Sequence, residues 1–153
     1  MTRIMFVCHG NICRSPMAEF IMKDMLNKHG IADRFAVDSS AVSAEELGNP
    51  VYPPARAELA KHGIDCAGKR AVRLTAADYD RYDYIIGMDR SNLRGMTHIF
   101  GGDPERKLHL LLDFTSTPHD VADPWYCGNF NVTYSDIHSG CAALLDSILK
   151  NRE

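Results

Sequence analysis

The stretch that decides the fold is residues 4–16, which read IMFVCHGNICRSP. Its first four residues form a short apolar block, which is typical of a strand covered on both faces. Ser15 and Pro16 then open a helix, with Ser15 as a candidate N-cap and Pro16 at the first helical position. A strand that turns directly into a helix is the first half of a crossover unit, and this order predicts an α/β fold with a mainly parallel sheet.

Apolar blocks and helical patterns alternate along the rest of the chain. Buried strands are predicted at 4–7, 35–38, 84–88 and 108–112. Helices are predicted from Ser15 to about Gly30, from Pro53 to Gly63, from Thr75, after Asp89, and from Ser135 to Lys150. Residues 115–131 are polar and aromatic and are predicted to form a long functional loop. With no linker or repeat, residues 1–153 are expected to be one domain.

The composition and charge of the chain limit the classes of function and partner to consider. The 153 residues carry a net charge of -3 with the two signs mixed, so neither nucleic acid nor a membrane surface is an expected partner. No segment is long enough to span a membrane, and the apolar start is too short for a secretory signal, so a cytoplasmic protein is expected. Five cysteines at irregular spacing do not suggest a disulfide scaffold. Because the overall charge of the chain attracts no anion, any anion-binding site must be built by the residues of one loop.

The loop after the first strand has the composition of such a site. Backbone N–H groups in a strand-to-helix turn, together with the helix N-terminus, attract anions. Gly10 is expected to permit a backbone conformation closed to most residues, and Asn11 tolerates left-handed geometry and can brace the loop. Arg14 can hold two phosphate oxygens with its planar fork. The predicted phosphate-binding residues are His9, Gly10, Asn11, Ile12, Cys13, Arg14 and Ser15.

Cys8 stands at the carboxyl end of the first strand, where open α/β sheets place their chemistry. A helix N-terminus favours the thiolate form of a cysteine, so Cys8 is the candidate nucleophile and Ser15 a donor to its sulphur. Cys8 and Cys13 as zinc ligands are the alternative. It is disfavoured because the seven histidines are scattered and supply no partner pair at compact spacing.

Asp123, in the sequence Asp123-Pro124-Trp125-Tyr126, is the candidate general acid that would protonate a leaving oxygen. The two aromatic residues are candidate walls for a phenyl ring, or alternatively core residues that cap the sheet. A plain turn carboxylate is the other interpretation of Asp123. Asp120, three residues away, competes for the catalytic role.

These residues resemble the low-molecular-weight protein tyrosine phosphatases over nearly the whole chain. The matching segments are 8–19 (CHGNICRSPMAE), 37–39 (VDS), 48–50 (GNP), 62–64 (HGI), 82–85 (YDYI), 88–93 (MDRSNL) and 123–124 (DP). The resemblance implies a four-stranded parallel sheet flanked by helices on both faces, a Rossmann-like three-layer fold of the phosphotyrosine protein phosphatase I type. It also implies catalysis without metal or cofactor. It casts Cys8 as nucleophile, Arg14 as phosphate clamp, Asp123 as general acid, Asn11, Ser15 and Ser39 as loop supports, and Cys13 as a redox partner of Cys8.

The implied partners are tyrosine-phosphorylated proteins or peptides, with inorganic phosphate as product. The expected substrate slot comprises Ile12, Glu45, Trp125 and Tyr126. Two positions depart from the family pattern: Glu45 stands where many relatives carry an aromatic residue, and Lys69 where many carry a histidine that supports the loop. Glu45 either favours basic peptides or is a solvated charge, and the loop support is either lost or replaced. A monomer is expected, with a weak dimer through the aromatic loop as the alternative.

Three other functions stay open. An arsenate reductase of this fold needs two more cysteines after the third strand, and none lies between Tyr79 and Pro104. Phosphoarginine phosphatases resemble this loop but usually have threonine at the position of Ile12, whose apolar side chain suits an aromatic ring better. A phosphate-binding module without turnover would be expected if Cys8, Arg14 or Asp123 were missing, and all three are present.

Overall fold

The computed structural model describes residues 1–151 and contains one sheet of four parallel strands. The strands are β1 (Thr2–Cys8), β2 (Phe35–Ala41), β3 (Tyr84–Gly87) and β4 (Leu108–Leu110), in the order β2-β1-β3-β4. β1 pairs with β2 from Thr2 opposite Phe35 to Cys8 opposite Ala41. The last residue of β2 thus lies opposite Cys8, and Gly87, the last residue of β3, lies opposite Val7. The predicted parallel α/β sheet is confirmed.

Six α-helices connect or follow the strands within the described residues. They are α1 (Arg14–Lys28), α2 (Pro53–Lys61), α3 (Asp78–Arg81), α4 (Arg90–Phe100), α5 (Pro124–Cys127) and α6 (Phe130–Asn151). None of these helices is both long and apolar enough to cross a membrane.

The two faces of the sheet bury separate apolar clusters. Ile4 and Phe6 point to the face covered by α1, α2 and α6, whereas Met5 and Val7 point to the face covered by α4. Because successive strand residues alternate between faces, an unbroken apolar block is what a strand in the middle layer requires. The predicted three-layer arrangement is confirmed.

Several boundaries differ from the sequence prediction. β2 continues to Ala41 through the buried Ser39 and Ser40, which an apolar pattern excludes. β4 ends at Leu110, and residues 111–114 form a 3₁₀ turn. The predicted loop 115–131 contains α5, and α6 begins at Phe130, five residues before Ser135. In this first turn of α6 the buried residue is the polar Thr133 and Val132 is exposed, so an apolar-periodicity search misses the turn.

Candidate functional site

The loop between β1 and α1 is held in an uncommon backbone conformation. Asn11 has a φ of 60°, in the left-handed region that its short polar side chain tolerates. Gly10 does not have a positive φ, so the prediction that it supplies the unusual backbone conformation is wrong. Its small size serves a close approach instead, because a Cβ on Gly10 would lie 3.2 Å from Cγ of Glu46.

Hydrogen-bond donors surround the sulphur of Cys8, which is 3% exposed. The Asn11 backbone N–H donates to Sγ at 3.3 Å, and Ser15 Oγ lies 3.0 Å from it. Ser15 therefore does not act as the predicted N-cap. The N-cap position belongs to Cys13, which makes no side-chain capping bond, and the Ser15 hydroxyl faces the thiol. The Cys8 sulphur therefore lies within hydrogen-bonding distance of a backbone N–H and a hydroxyl group.

Asn11 joins the loop to the rest of the sheet. Its amide nitrogen donates to Ser15 Oγ at 2.8 Å and to Ser39 Oγ at 2.9 Å, and its amide oxygen accepts from Val72 N–H at 3.1 Å. Ser39 in turn donates to the buried carboxylate of Glu19 at 2.6 Å. The three predicted loop supports thus lie in one hydrogen-bonded cluster.

Arg14 is 2% exposed and is fixed on one side by two acceptors. Its Nη1 donates to Asp89 Oδ2 at 2.7 Å and to the Val121 carbonyl at 2.8 Å. Burial alone would lower the pKa of Arg14, but electrostatic interaction with Cys8, the hydrogen bond and charge of Asp89, and the charge of Asp123 outweigh burial and raise it. The guanidinium is therefore charged, and its Nη1 is held by two acceptors. No role for Asp89 was predicted from the sequence. Its position just after β3, at the carboxyl end of a central strand, is the feature that could have identified it as a site residue.

Asp123 faces Arg14 across the site. Its Oδ2 lies 3.6 Å from Arg14 Nη2, while its Oδ1 accepts from the Trp125 N–H at 3.0 Å and so caps α5. Asp123 is therefore a turn carboxylate that caps α5 and, at the same time, a residue of the candidate site. Asp120 instead contacts Arg90 at 3.4 Å and does not line the pocket.

A pocket of about 180 Å³ opens above Cys8. Trp125 and Tyr126 form part of its wall and are 54% and 87% exposed, so the interpretation of them as core residues is wrong. Glu45 belongs to the lining and contacts His9 at 3.0 Å. The pocket is lined by Cys8, His9, Gly10, Ile12, Cys13, Arg14, Glu45, Glu46, Asp123, Trp125 and Tyr126. Glu46 is the lining residue that sequence reasoning missed.

Cys13 is a buried free thiol beside the same pocket. Burial, reinforced by electrostatic interactions with Cys8 and Asp123, raises the pKa of Cys13 to about 12. Cys13 is therefore protonated at neutral pH, whereas thiol–disulfide chemistry uses the thiolate. Its redox role stays a prediction.

Lys69 occupies the position where a supporting histidine was expected. Its ammonium group donates to the Ser39 carbonyl at 2.9 Å, so the contact with the loop supports is replaced, not lost.

Within residues 1–151, no three His, Cys, Asp or Glu side chains converge in a way that could bind a metal ion. Catalysis without metal stays a prediction.

Known proteins resemble this chain over its full length. The family model described as low molecular weight phosphotyrosine protein phosphatase matches residues 3–153. The low molecular weight protein-tyrosine-phosphatase YfkJ of Bacillus subtilis is 37% identical over 155 residues, which cover 100% of this chain and 99% of YfkJ. PtpA of Staphylococcus aureus (strain MRSA252), which has the same description, is 38% identical over 99% of this chain and 96% of its own length.

Solved structures give the same result. The crystal structure of YfkJ superimposes with a TM-score of 0.96, covering 100% of this chain and 98% of YfkJ. The crystal structure of DARP, a Drosophila arginine phosphatase, superimposes with a TM-score of 0.86 at 29% identity and covers 97% of this chain and 98% of DARP. The match to the family model and the full-length relatives above 30% identity establish that this chain belongs to the low molecular weight protein-tyrosine-phosphatase family of enzymes.

Proposed function

We propose that the protein hydrolyses phosphotyrosine in proteins or peptides through a phosphocysteine intermediate on Cys8. The observation that carries the proposal is the placement of three groups around one pocket. The Cys8 thiol lies at its base, and Arg14 Nη2 and Asp123 Oδ2 lie 3.6 Å apart at its wall. A nucleophile, a fixed cation and a carboxyl group are what phosphoryl transfer through a covalent intermediate requires.

In the first step, the Cys8 thiolate attacks phosphorus, the S–P bond forms and the bond from phosphorus to the tyrosine oxygen breaks. Asp123 gives its proton to the departing phenolate oxygen, so tyrosine leaves neutral. Arg14 and the N–H groups of residues 9–15 bind the equatorial phosphate oxygens, where charge is concentrated in the transition state. The support for Arg14 in this role is its orientation, because Asp89 and Val121 occupy Nη1 and leave Nη2 toward the pocket.

In the second step, Asp123, now a carboxylate, takes a proton from water as the water oxygen attacks phosphorus. The S–P bond breaks, inorganic phosphate forms and Cys8 leaves as a thiolate. The hydroxyl of Ser15 and the N–H of Asn11 stabilise this leaving group through the contacts at 3.0 and 3.3 Å.

The pocket also suits the aromatic ring of a phosphotyrosine substrate, because Ile12, Trp125 and Tyr126 form part of its wall.

The test measures phosphate release from a phosphotyrosine peptide and from phosphoarginine in the presence of a chelator. Wild type is compared with Cys8→Ser, Asp123→Ala and Cys66→Ser, the last as a matched control at another buried thiol. We expect release from phosphotyrosine that Cys8→Ser abolishes, Asp123→Ala strongly slows and Cys66→Ser preserves.

Other outcomes identify the other functions. Release from phosphoarginine alone would favour the activity in the name of the 29% identical Drosophila protein, with Cys8 chemistry retained. A Cys8→Ser protein as active as wild type would refute the nucleophile. Phosphate binding without turnover by wild type would indicate a binding module.

A further inference from the structure

A chain of hydrogen bonds leads from the Cys8 sulphur to the opposite side of the loop. It passes through Ser15 and Asn11 to Ser39, with every donor–acceptor distance between 2.8 and 3.0 Å. Ser39 ends the chain at two groups. Its hydroxyl donates to Glu19 Oε1 at 2.6 Å, and its carbonyl accepts from Lys69 Nζ at 2.9 Å.

Lys69 therefore contacts Ser39 twice, once directly and once through Glu19. The Lys69 ammonium lies 3.6 Å from the same Glu19 oxygen that accepts the Ser39 hydroxyl. The side chains of Lys69 and Glu19 are only 13% and 6% exposed, so this ion pair is poorly screened by solvent. Lys23 pairs with the other Glu19 oxygen at 2.6 Å but makes no contact with Ser39.

We propose that Lys69 is a positioning residue for the phosphatase reaction, which fixes Ser39 and thereby holds Asn11 and the Cys8–Ser15 loop in their anion-binding conformation. The proposal rests on the proposed function of that loop. Asn11 keeps its left-handed conformation only while its side chain is held, and its N–H points at the Cys8 sulphur in that conformation. Small displacements of groups that bind a transition state cost large factors in rate.

The charge of Lys69 makes this support dependent on pH. Burial lowers the pKa of Lys69 despite the opposing charge of Glu19. As pH rises, Lys69 thus loses its proton earlier than an ordinary lysine, and the contact with Ser39 weakens. Glu19 and Lys23 of α1 and Asp38 of β2 interact electrostatically with Lys69. The other charged or titratable groups that line the same surface pocket as Lys69 are Asp78 and Arg81 of α3, and Arg73 and Tyr82 on either side of α3.

The experiment compares wild type with Lys69→Met, Lys69→Arg and Lys61→Met. Lys61 is the matched control because it also pairs with a buried glutamate, Glu58, at 3.4 Å, but on α2 and outside the hydrogen-bond chain. Affinity for inorganic phosphate is measured from the fluorescence of Trp125, the one tryptophan, which lines the pocket. The kcat/KM for a phosphotyrosine peptide is measured against pH, well below each melting temperature.

We expect Lys69→Met to weaken phosphate binding and to lower kcat/KM, each by about tenfold or more. Lys61→Met should leave both within twofold of wild type. Lys69→Arg should restore most of the loss at neutral pH and move the alkaline fall in kcat/KM to higher pH, because arginine keeps its proton.

Two results would overturn the proposal. One is Lys69→Met protein whose phosphate affinity and kcat/KM equal those of wild type, whatever its melting temperature, since Lys69 would then be structural only. The other is Lys69→Arg as impaired as Lys69→Met, since the ammonium charge would then not matter. Phosphate binding is measured without turnover, so failure of the proposed catalytic function would appear separately, as wild type that binds phosphate and releases none.

Discussion

The carboxylate of Asp89 joins the end of β3 to the guanidinium of Arg14 and at the same time caps α4. Its Oδ2 accepts from Arg14 at 2.7 Å, and its Oδ1 accepts from the Asn92 N–H at 2.8 Å. The two residues are 75 positions apart, so the sheet has to form before Arg14 is oriented. One side chain therefore both caps α4 and orients Arg14, the proposed phosphate clamp, and substitutions can separate the two effects.

Asp89→Asn is expected to weaken phosphate binding with little loss of stability. Asparagine caps a helix about as well as aspartate, but it lacks the charge that holds Arg14. We expect KM for a phosphotyrosine peptide to rise about tenfold, while the free energy of unfolding changes by less than about 1 kcal/mol. Steady-state kinetics and urea unfolding measure the two quantities. An unchanged KM would show that Val121 alone suffices to orient Arg14.

Asp123→Asn is expected to slow hydrolysis in a way that depends on the leaving group. The kcat/KM for phosphotyrosine, which reports the first step and not the hydrolysis of the intermediate, should fall by about 10²–10³, because the phenolate leaves without a proton. The loss should be much smaller for aryl phosphates of acidic phenols, which leave readily as anions. Asp120→Asn is the matched control, since Asp120 pairs with Arg90 outside the pocket. Equal losses for both classes of substrate would contradict the general-acid role.

Glu45 and Glu46 give the rim of the pocket a negative charge. Peptides with arginine beside the phosphotyrosine should therefore have a KM about two- to fivefold lower than peptides with glutamate there, at low ionic strength. The double variant Glu45→Gln/Glu46→Gln should remove the preference, as should high salt. Glu105→Gln, an exposed carboxylate outside the pocket lining, should keep it. A preference that survives in the double variant would contradict this origin.

Acid should destabilise the protein partly through Asp103. Partial burial alone would raise the pKa of Asp103, but hydrogen bonds from the Tyr79 hydroxyl and from the N–H groups of Lys107 and Leu108 outweigh burial and lower it. A carboxylate whose pKa is lowered by folding stabilises the fold above its ordinary value and stops doing so as pH falls through the lowered value.

Urea unfolding of wild type and Asp103→Asn at a series of pH values tests this. The stability difference between the two proteins should be full near pH 6 and should shrink as the medium becomes acidic, from about pH 5 downward. A constant difference across this range would show that Asp103 titrates alike in both states.

Gly140→Ala should reduce stability without changing the site. A Cβ on Gly140 would lie 2.5 Å from Cγ of Leu111, where the buried face of α6 packs on the 3₁₀ turn after β4. Overpacking of this kind costs about 1–3 kcal/mol, which calorimetry should register as a lower melting temperature. Ser139→Ala, at the adjacent exposed position, should not lower it. The kcat/KM of the folded Gly140→Ala protein should equal that of wild type.

Local patterns were sufficient for the elements that carry apolar blocks. The strand β1 and the helix α1 follow from residues 4–16 and from the resemblance that these residues carry. The first turn of α6 was missed because Thr133 is buried through tertiary packing and not through an apolar side chain. The predicted β2 is too short for the same reason: Ser39 and Ser40 are buried although their side chains are polar.

The site was predicted where its residues are consecutive and missed where they converge from distant segments. Residues 8–15 form a single turn, so their spacing in sequence is also their arrangement in space. Asp89 and Glu46 reach the loop from other connections, and a sequence gives no direct measure of such distances. The role predicted for Gly10 is wrong, because a glycine required for close packing and a glycine required for its backbone angle look alike in a sequence.

The partners of Asn11 determine when the loop around Cys8 becomes ordered during folding. Its partners Ser39 and Val72 lie 28 and 61 residues away along the chain, so these bonds form only after a large part of the polypeptide has been synthesised and has closed long loops. Until then the Cys8 sulphur lacks the donors that surround it in the native fold. The anion-binding geometry of the loop is therefore completed late in folding, together with the long-range pairing of the sheet, although residues 8–15 are consecutive in the sequence.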